Sequence, residues 1–257
     1  MATHRRVVDL RQDGQIESAT WNPTTGCDRV GAGCDSCYAL AFAKRLKAMG
    51  NAGYQHDGDP RTSGPGFRLT LHPRRLDIPL RWRKPRLVFV DSMSDLFHPK
   101  VPDAFLAEVL DVMRRAGRHT FFVLTKRPQR MAPALAALQP RPLPNVWWGT
   151  TIESNEYVHR ADRLRATPAA VRFLSLQPLL GPLPGLDLTG LDWVYAGGES
   201  GPAHRPMRPQ WVRPIRDQCV AAGIPFLFKQ WGGRTRNAGG RLLDGRTWDE
   251  MPRVWKP

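Results

Sequence analysis

Three of the four cysteines in this 257-residue chain stand within eleven positions, in "TTGCDRVGAGCDSCYA". Their spacing is C-x6-C-x2-C, at Cys27, Cys34 and Cys37. In a reducing compartment, clustered thiols bind metal or do redox work more often than they form disulfides. Two kinds of centre suit them. A structural zinc takes four ligands, and a histidine such as His56 or His72 would complete the set. An iron–sulfur cluster held by three thiolates leaves one iron open. The "GAG" at 31–33 suits a loop that curls round a centre, because glycine lets backbone approach closely. Cys219, in "RDQCVAAG", stands apart and is expected to be a small core residue.

Such a loop needs a scaffold. Eight short apolar runs recur along the chain: "SATWNPTTG", "FRLTLHP", "RLVFVDSMSD", "TFFVLTKRP", "NVWWGTTIES", "VRFLSLQPLL", "LDWVYAGGES" and "IPFLFKQWGG". Each is rich in Val, Phe, Leu or Trp, as a strand buried on both faces should be. Each ends in polar or turn-forming residues. Helical periodicity marks "CYALAFAKRLKAMG", "PDAFLAEVLDVMRRAG", "NEYVHRADRLRAT" and "QWVRPIRDQCVAAG", with one or two turns in "RRLDIPLRWRK". This alternation predicts an α/β fold, a (βα)8 TIM-type or closely related parallel barrel. The barrel would span residues 1–257 as one domain, with 234–257 a C-terminal extension. An open doubly wound sheet is the alternative. The lack of a Gly-rich dinucleotide loop after the first run favours the barrel.

Barrel active sites lie at the carboxyl ends of the strands. The first run leads into the cysteines and the second ends at His72. The third supplies Asp91, Ser92 and Asp95, the fourth Lys126 and Arg127, the fifth Thr151 and Glu153. Gln177 follows the sixth run, Glu199 and Ser200 the seventh, and Lys229, Gln230 and Trp231 the eighth. Asp91 and Asp95 also suit caps of the following turns, and His72 before Pro73 suits a simple strand end. Glu199 follows Gly197 and Gly198, which would admit a ligand close to the backbone. Lys126, Arg127 and Lys229 put bases at the mouth, where an anion would relieve their repulsion.

Lys and Arg number 38 against 23 Asp and Glu, a formal charge of +15. Such a balance favours a polyanionic partner, most simply nucleic acid. Trp82, Trp211, Trp231 and Trp248 lie near bases and suit stacking or partial burial. No apolar run reaches about 18 residues, so no membrane span is expected. The start "MATHRRVVDLRQDGQ" lacks the apolar core of a signal peptide. A cytoplasmic location is expected.

The motifs "TWNPTTGC", "SMSDLFHP", "LTKRPQRM", "LQPLLGP", "GGESGP", "FKQWG" and "LDGRTWDEMP", from about residue 17 to residue 253, resemble an uncharacterised phage-associated family. That family is known for a three-cysteine motif and is thought to be related to radical S-adenosylmethionine (SAM) enzymes. The resemblance implies a radical-SAM-like barrel with a [4Fe-4S] cluster on Cys27, Cys34 and Cys37. SAM would chelate the open iron, and an electron donor would be needed. The family supplies no substrate; the charge of +15 points to nucleic acid or a nucleotide, in modification or repair. On that reading Gly197, Gly198, Glu199, Gln177 and Ser92 bind the cofactor. Glu199, Lys126, Glu153 and Asp91 carry catalysis, and Arg127, Lys229, Gln230 and Trp231 contact nucleic acid. Three features depart from the radical-SAM pattern. The usual spacing is C-x3-C-x2-C; Ser36 replaces the aromatic residue before the third cysteine, with Tyr38 after it instead; and "GGE" follows the seventh run, not the second. Two other readings remain: a metal-stabilised nucleic-acid-binding protein without SAM chemistry, and a barrel hydrolase using Asp91 and Glu153.

Overall fold

Apolar runs long enough to be buried on both faces must pair side by side and be covered by helices. The computed structural model describes residues 17–235 and 237–252. Its elements are β1 (Glu17–Trp21), β2 (Thr24–Thr25), α1 (Tyr38–Ala48), β3 (Thr70–Leu71), α2 (Ile78–Arg81), β4 (Arg86–Val90), α3 (Asp103–Arg115), β5 (Thr120–Thr125), α4 (Pro128–Leu138), β6 (Val146–Thr151), α5 (Arg160–Arg165), β7 (Val171–Leu176), β8 (Trp193–Gly197), α6 (Pro209–Ala222) and β9 (Phe226–Gln230). Seven strands form one parallel sheet in the order β1-β4-β5-β6-β7-β8-β9. The sheet curls into a half-barrel.

This corrects the expectation in three ways. The second run, "FRLTLHP", is outside the sheet: β3 pairs antiparallel with β2 as a small separate ribbon. Its apolar residues alternate, Phe67, Leu69, Leu71, and such a pattern covers only one face. With seven strands and no pairing of β1 to β9 among the described residues, the barrel stays open. The doubly wound alternative fails too, because strand order follows the chain with no reversal.

Burial explains the elements. α3 turns Phe105, Leu106, Val109, Leu110 and Met113 onto the sheet. Asp103 in its first turn and Arg114 and Arg115 in its last complement the helix dipole. α6 ends at Gly223, whose φ of 64° is the left-handed cap glycine permits. The helix predicted across "NEYVHRADRLRAT" is shorter, a single turn at 155–157 and then α5. α4 was not evident in the sequence, since Pro128 and Pro133 disguise its period. The 178–192 connection from β7 to β8 contains no helix.

The helix-covered face of the sheet carries the main core, from Trp21 and Val88 to Phe226 and Phe228. The concave face is filled by aromatic rings. Phe122 stacks on Phe173 with centroids 4.3 Å apart, and Trp193 and Tyr195 pack beside them. Gly149 makes room: a Cβ there would lie 2.1 Å from the Phe173 ring. Leu243 and Trp248, in the C-terminal extension, are buried, and Phe228 N–H donates to the Trp248 carbonyl (2.9 Å). The extension therefore covers the outer edge of β9, which would otherwise expose unpaired backbone. Residues 236 and 253–257 of the predicted extension lie outside the described residues. No helix among the described residues is long and apolar enough to cross a membrane.

Gly149→Ala should destabilise the protein by about 1–3 kcal/mol, through overpacking against Phe173. Adding Phe173→Leu should recover part of that loss. Urea unfolding of the single and double variants measures both, and additive effects would show that the two sites do not touch.

Candidate active site at the carboxyl ends of the strands

The chain leaves β1 and is pinned at once beside the exit of β4. Gly26 N–H donates to the Met93 carbonyl (2.9 Å), and Ser94 Oγ donates to the Gly26 carbonyl (2.6 Å). Gly26 has φ 86°, and a Cβ there would lie 2.2 Å from the Arg68 carbonyl oxygen. Cys27 is the next residue. Cys34 closes a short turn at 32–34, and Cys37 caps the N-terminus of α1. Different local devices thus place the three thiols in one loop over the sheet.

Cys27 and Cys37, both partly buried, each have groups that stabilise a thiolate. Burial pushes the Cys27 thiol up to about 12, and the Asp95 charge adds to this. Arg127 opposes them, its Nη1 donating to Cys27 Sγ at 3.4 Å. Burial also raises Cys37, opposed by the backbone N–H groups of Ala39 and Leu40 and by the Lys126 charge. Cys34 raises both neighbours, so its sulfur lies within electrostatic reach of each. A bound cation would favour the thiolates further. The donor set therefore suits a thiolate-ligated centre. Among the described residues, no three His, Cys, Asp or Glu side chains form a preassembled ligand set.

Three buried acids surround the loop, and each is matched by base. Asp95 accepts from Arg127 Nη1 (2.8 Å), Thr125 Oγ1 (2.6 Å), Lys126 N–H (3.1 Å) and Phe97 N–H (3.0 Å). Arg127 also donates to the Asp28 carbonyl (2.7 Å). Glu153, 0% exposed, accepts from Lys126 Nζ (3.2 Å) and Arg160 Nη1 (2.9 Å). The cysteine loop packs on this pair, since a Cβ on Gly31 would lie 2.7 Å from Glu153 Oε1. Glu199 forms a fork with Arg205, at 2.6 Å and 2.9 Å. Burial works to raise the Glu199 carboxyl, but the Arg205 hydrogen bonds and charge hold it below its ordinary value. Arg205 Nη2 also donates to the Ala32 carbonyl (2.8 Å). Glu199 therefore lies at the same end of the sheet as the thiols.

The remaining predicted residues divide. Lys229 Nζ donates to Gln177 Oε1 (2.9 Å), and Gly197 lies against the Gln177 amide. Ser92 Oγ donates to Asn22 Oδ1 (3.3 Å), and its carbonyl accepts from the Tyr38 hydroxyl (2.5 Å). Thr25 Oγ1 hydrogen-bonds His72 Nε2 (2.8 Å). Arg127 and Gln230 are buried. Gln230 donates to the Gly198 carbonyl (3.2 Å), and the Trp231 indole donates to the Leu242 carbonyl (2.8 Å). The space left by Gly198 belongs to the protein itself: a Cβ there would lie 1.9 Å from the Trp231 carbonyl oxygen. The expected room for a ligand is thus taken by the neighbouring chain. The strand ends form groups around Asp95, Glu153, Glu199 and Gln177, and Lys126 links the first two, its N–H donating to Asp95 and its Nζ to Glu153.

Sequence reasoning missed Arg160, Arg205 and His98. Arg160 and Arg205 follow their carboxylates by seven and six residues, with no recurring motif between. His98 Nε2 hydrogen-bonds Asp28 Oδ2 (2.9 Å), and "DLFHP" in the sequence was the only signal for it.

One profile of known families spans residues 14–252, nearly the whole chain. The chain belongs to the DUF5131 family. That family is described as a protein of unknown function. No curated protein and no solved structure matches. The DUF5131 profile covers every strand of the sheet and all three clustered cysteines.

Asp91 stands apart from these pairs. It has φ 56°, a left-handed conformation that Asp and Asn tolerate. Its carboxylate accepts from Thr24 N–H (3.1 Å) and Thr24 Oγ1 (2.9 Å). Burial pushes its carboxyl up to about 8, opposed by Thr24 and reinforced by Asp95. An unfolded Asp titrates near about 3.9. The folded state therefore binds this proton more tightly. The associated stability is complete below about pH 4 and is lost as pH rises through about 8. Asp91→Asn should remove that dependence while keeping the backbone and both Thr24 contacts. The difference in melting temperature between wild type and variant should swing against wild type from pH 5 to about pH 8. A difference independent of pH would show that Asp91 is ionised throughout.

Proposed function

We propose that this DUF5131 protein is a radical-SAM-like iron–sulfur enzyme acting on nucleic acid or a nucleotide. The observation that carries the reading is the loop of Cys27, Cys34 and Cys37 at the carboxyl end of a parallel half-barrel, with thiolate-stabilising donors in place. The three cysteines would ligate a [4Fe-4S] centre. With SAM bound and one electron delivered by an external donor, that centre would supply reductive cleavage of SAM to methionine and a 5′-deoxyadenosyl radical, which takes a hydrogen atom from the substrate. The chain's own residues do the rest. Arg127 and the Ala39 and Leu40 amides stabilise thiolate charge. Lys126, Glu153 and Arg160 support the loop from below. Gln177 and Lys229 offer polar contacts at the mouth. The net charge of +15 supports a nucleic-acid or nucleotide substrate.

A second reading is a metal-stabilised nucleic-acid-binding protein without SAM chemistry. The ion-pairing of Asp95, Glu153 and Glu199 favours it, because none of these carboxylates is left for a SAM amino group. The hydrolase reading loses support. Asp91 is buried against Thr24, and Glu153 is fully buried and held by two bases, so neither reaches a substrate.

Anaerobic reconstitution with iron and sulfide should give brown protein with about four irons per chain. Cys27→Ala, Cys34→Ala and Cys37→Ala should each abolish it. Cys219→Ala should retain it, because Cys219 is 0% exposed on the buried face of α6, apart from the cysteine loop. On the SAM reading Glu199→Gln should weaken SAM binding, read by calorimetry, with iron content unchanged; undiminished affinity would favour the second reading, in which Arg205 occupies the carboxylate. Colourless protein holding one zinc would favour the second reading. Full metal uptake by a triple cysteine variant would overturn both.

A further inference from the structure

The positive charge is not concentrated at the mouth, where buried bases meet acids. A separate group of exposed bases lies at the opposite end of the sheet. β4 begins at Arg86 and β5 at Thr120, and the two strands pair as neighbours with Leu87 opposite Thr120. The segments just before them, "RWRKP" at 81–85 and "RRAGRH" at 114–119, therefore meet at the amino-terminal base. The contact is direct. The Trp82 and His119 rings lie 5.6 Å apart, edge to face. His119 Nε2 reaches the Pro79 carbonyl (3.0 Å), and Arg118 Nη1 reaches the Arg83 carbonyl (3.5 Å).

This places six exposed bases on one small surface: Arg81, Arg83, Lys84, Arg114, Arg115 and Arg118. The nearby acids are Asp77, Glu17 and Asp111, each in surface pairs with bases of the patch or with Arg86. Such pairs are weak and are screened by salt. Arg83 and Arg118 have no acid partner among the described residues. The helix dipole accounts for Arg81, Arg114 and Arg115, which end α2 and α3. It does not account for Arg83, Lys84 and Arg118, which lie beyond the helix ends.

We propose that this base of the half-barrel binds the sugar–phosphate backbone of nucleic acid. Five of the six exposed bases are Arg, whose planar fork suits phosphate. A membrane surface is the competing polyanion, and it usually takes an apolar side chain inserted beside the bases. None of the exposed large apolar residues, such as Phe42, Met49 and Val220, belongs to the two segments. The partly buried Trp82 has the Arg86 guanidinium over one face at 5.0 Å and the His119 ring edge-to-face beside it, so it is engaged within the protein. Binding is therefore read from the backbone, without base recognition. The proposal stands apart from the thiolate centre and does not depend on it.

The test is fluorescence anisotropy with a short labelled DNA duplex, between about 50 and 200 mM salt. Wild type should bind with a steep salt dependence. Arg83→Glu/Arg118→Glu should bind at least tenfold more weakly and lower the log–log salt slope by about 2. Arg83→Gln/Arg118→Gln should show the same loss of slope, so a folding defect in the first variant, seen by circular dichroism, leaves the proposal testable. Arg29→Glu/Arg61→Glu makes the same charge change beside the cysteine loop and should leave binding unchanged. Metal content is measured on every variant, so failure of this surface is separate from failure of the thiolate reading. Wild-type affinity in both Arg83/Arg118 variants would overturn the proposal. So would an equal loss in the Arg29/Arg61 variant, or phosphatidylserine vesicles that displace the duplex at matched charge.

Discussion

The Arg127 guanidinium joins the parts of the mouth that the chain would otherwise leave separate. It pairs with Asp95 from the β4 exit, donates to the Cys27 sulfur and donates to the Asp28 carbonyl of the cysteine loop. Its own backbone carbonyl accepts from Arg130 and Met131, so the same residue starts α4. Removing one partner of a buried ion pair leaves an uncompensated charge and costs about 3–5 kcal/mol. Here the loss would also remove a donor to the Cys27 sulfur and to the Asp28 carbonyl of the cysteine loop. The geometry at this end therefore depends on one side chain that is 4% exposed.

The same rule organises the rest of the mouth. A carboxylate taken out of water needs a base or several donors. Glu153 has Lys126 and Arg160, and Glu199 has Arg205. The cysteine loop rests on these pairs through its backbone, at Ala32 and at Gly31 and Gly33. The loop's path is thus fixed by protein contacts alone. In a zinc finger the metal supplies the folding energy and the apo chain is unfolded. A centre formed here would instead meet a loop whose backbone is already placed, and its binding energy would be spent on drawing the three sulfurs together.

The sheet was legible because strands buried on both faces read as unbroken apolar runs, and "VWWGTT" of β6 is buried throughout. The second run misled because it too is apolar and short. Only its alternation, Phe67 to Leu71, marked it as half-covered, and the β2 partner is two residues long. α4 was hidden by prolines tolerated in its first turn and, at Pro133, within its body. The polar residues at the strand ends were legible as a group, because strand ends are where a parallel sheet can place chemistry. Their bonding was not. Arg160 and Arg205 reach back to Glu153 and Glu199 by side-chain length, which leaves no spacing rule in the sequence. Gly198 was read as room for a ligand, yet the Trp231 carbonyl fills that room. A glycine shows that something approaches closely, and only coordinates show what.

Charge divides the molecule along the strand axis. At the mouth, the buried acids Asp95, Glu153 and Glu199 are each matched by a base within the protein. At the base, Arg and Lys outnumber acids and face solvent. Strands of five to six residues separate the two ends, a distance of roughly 17–20 Å. A phosphate held at the base is therefore too far from the thiols to be the reacting group. Nucleic acid bound there would anchor the protein and leave the mouth free for a different segment of the polymer or for a small substrate. Affinity and chemistry would then answer to different residues. Salt would weaken the anchor through Arg83 and Arg118, while the buried pairs at the mouth, little screened, would hold the cysteine loop unchanged.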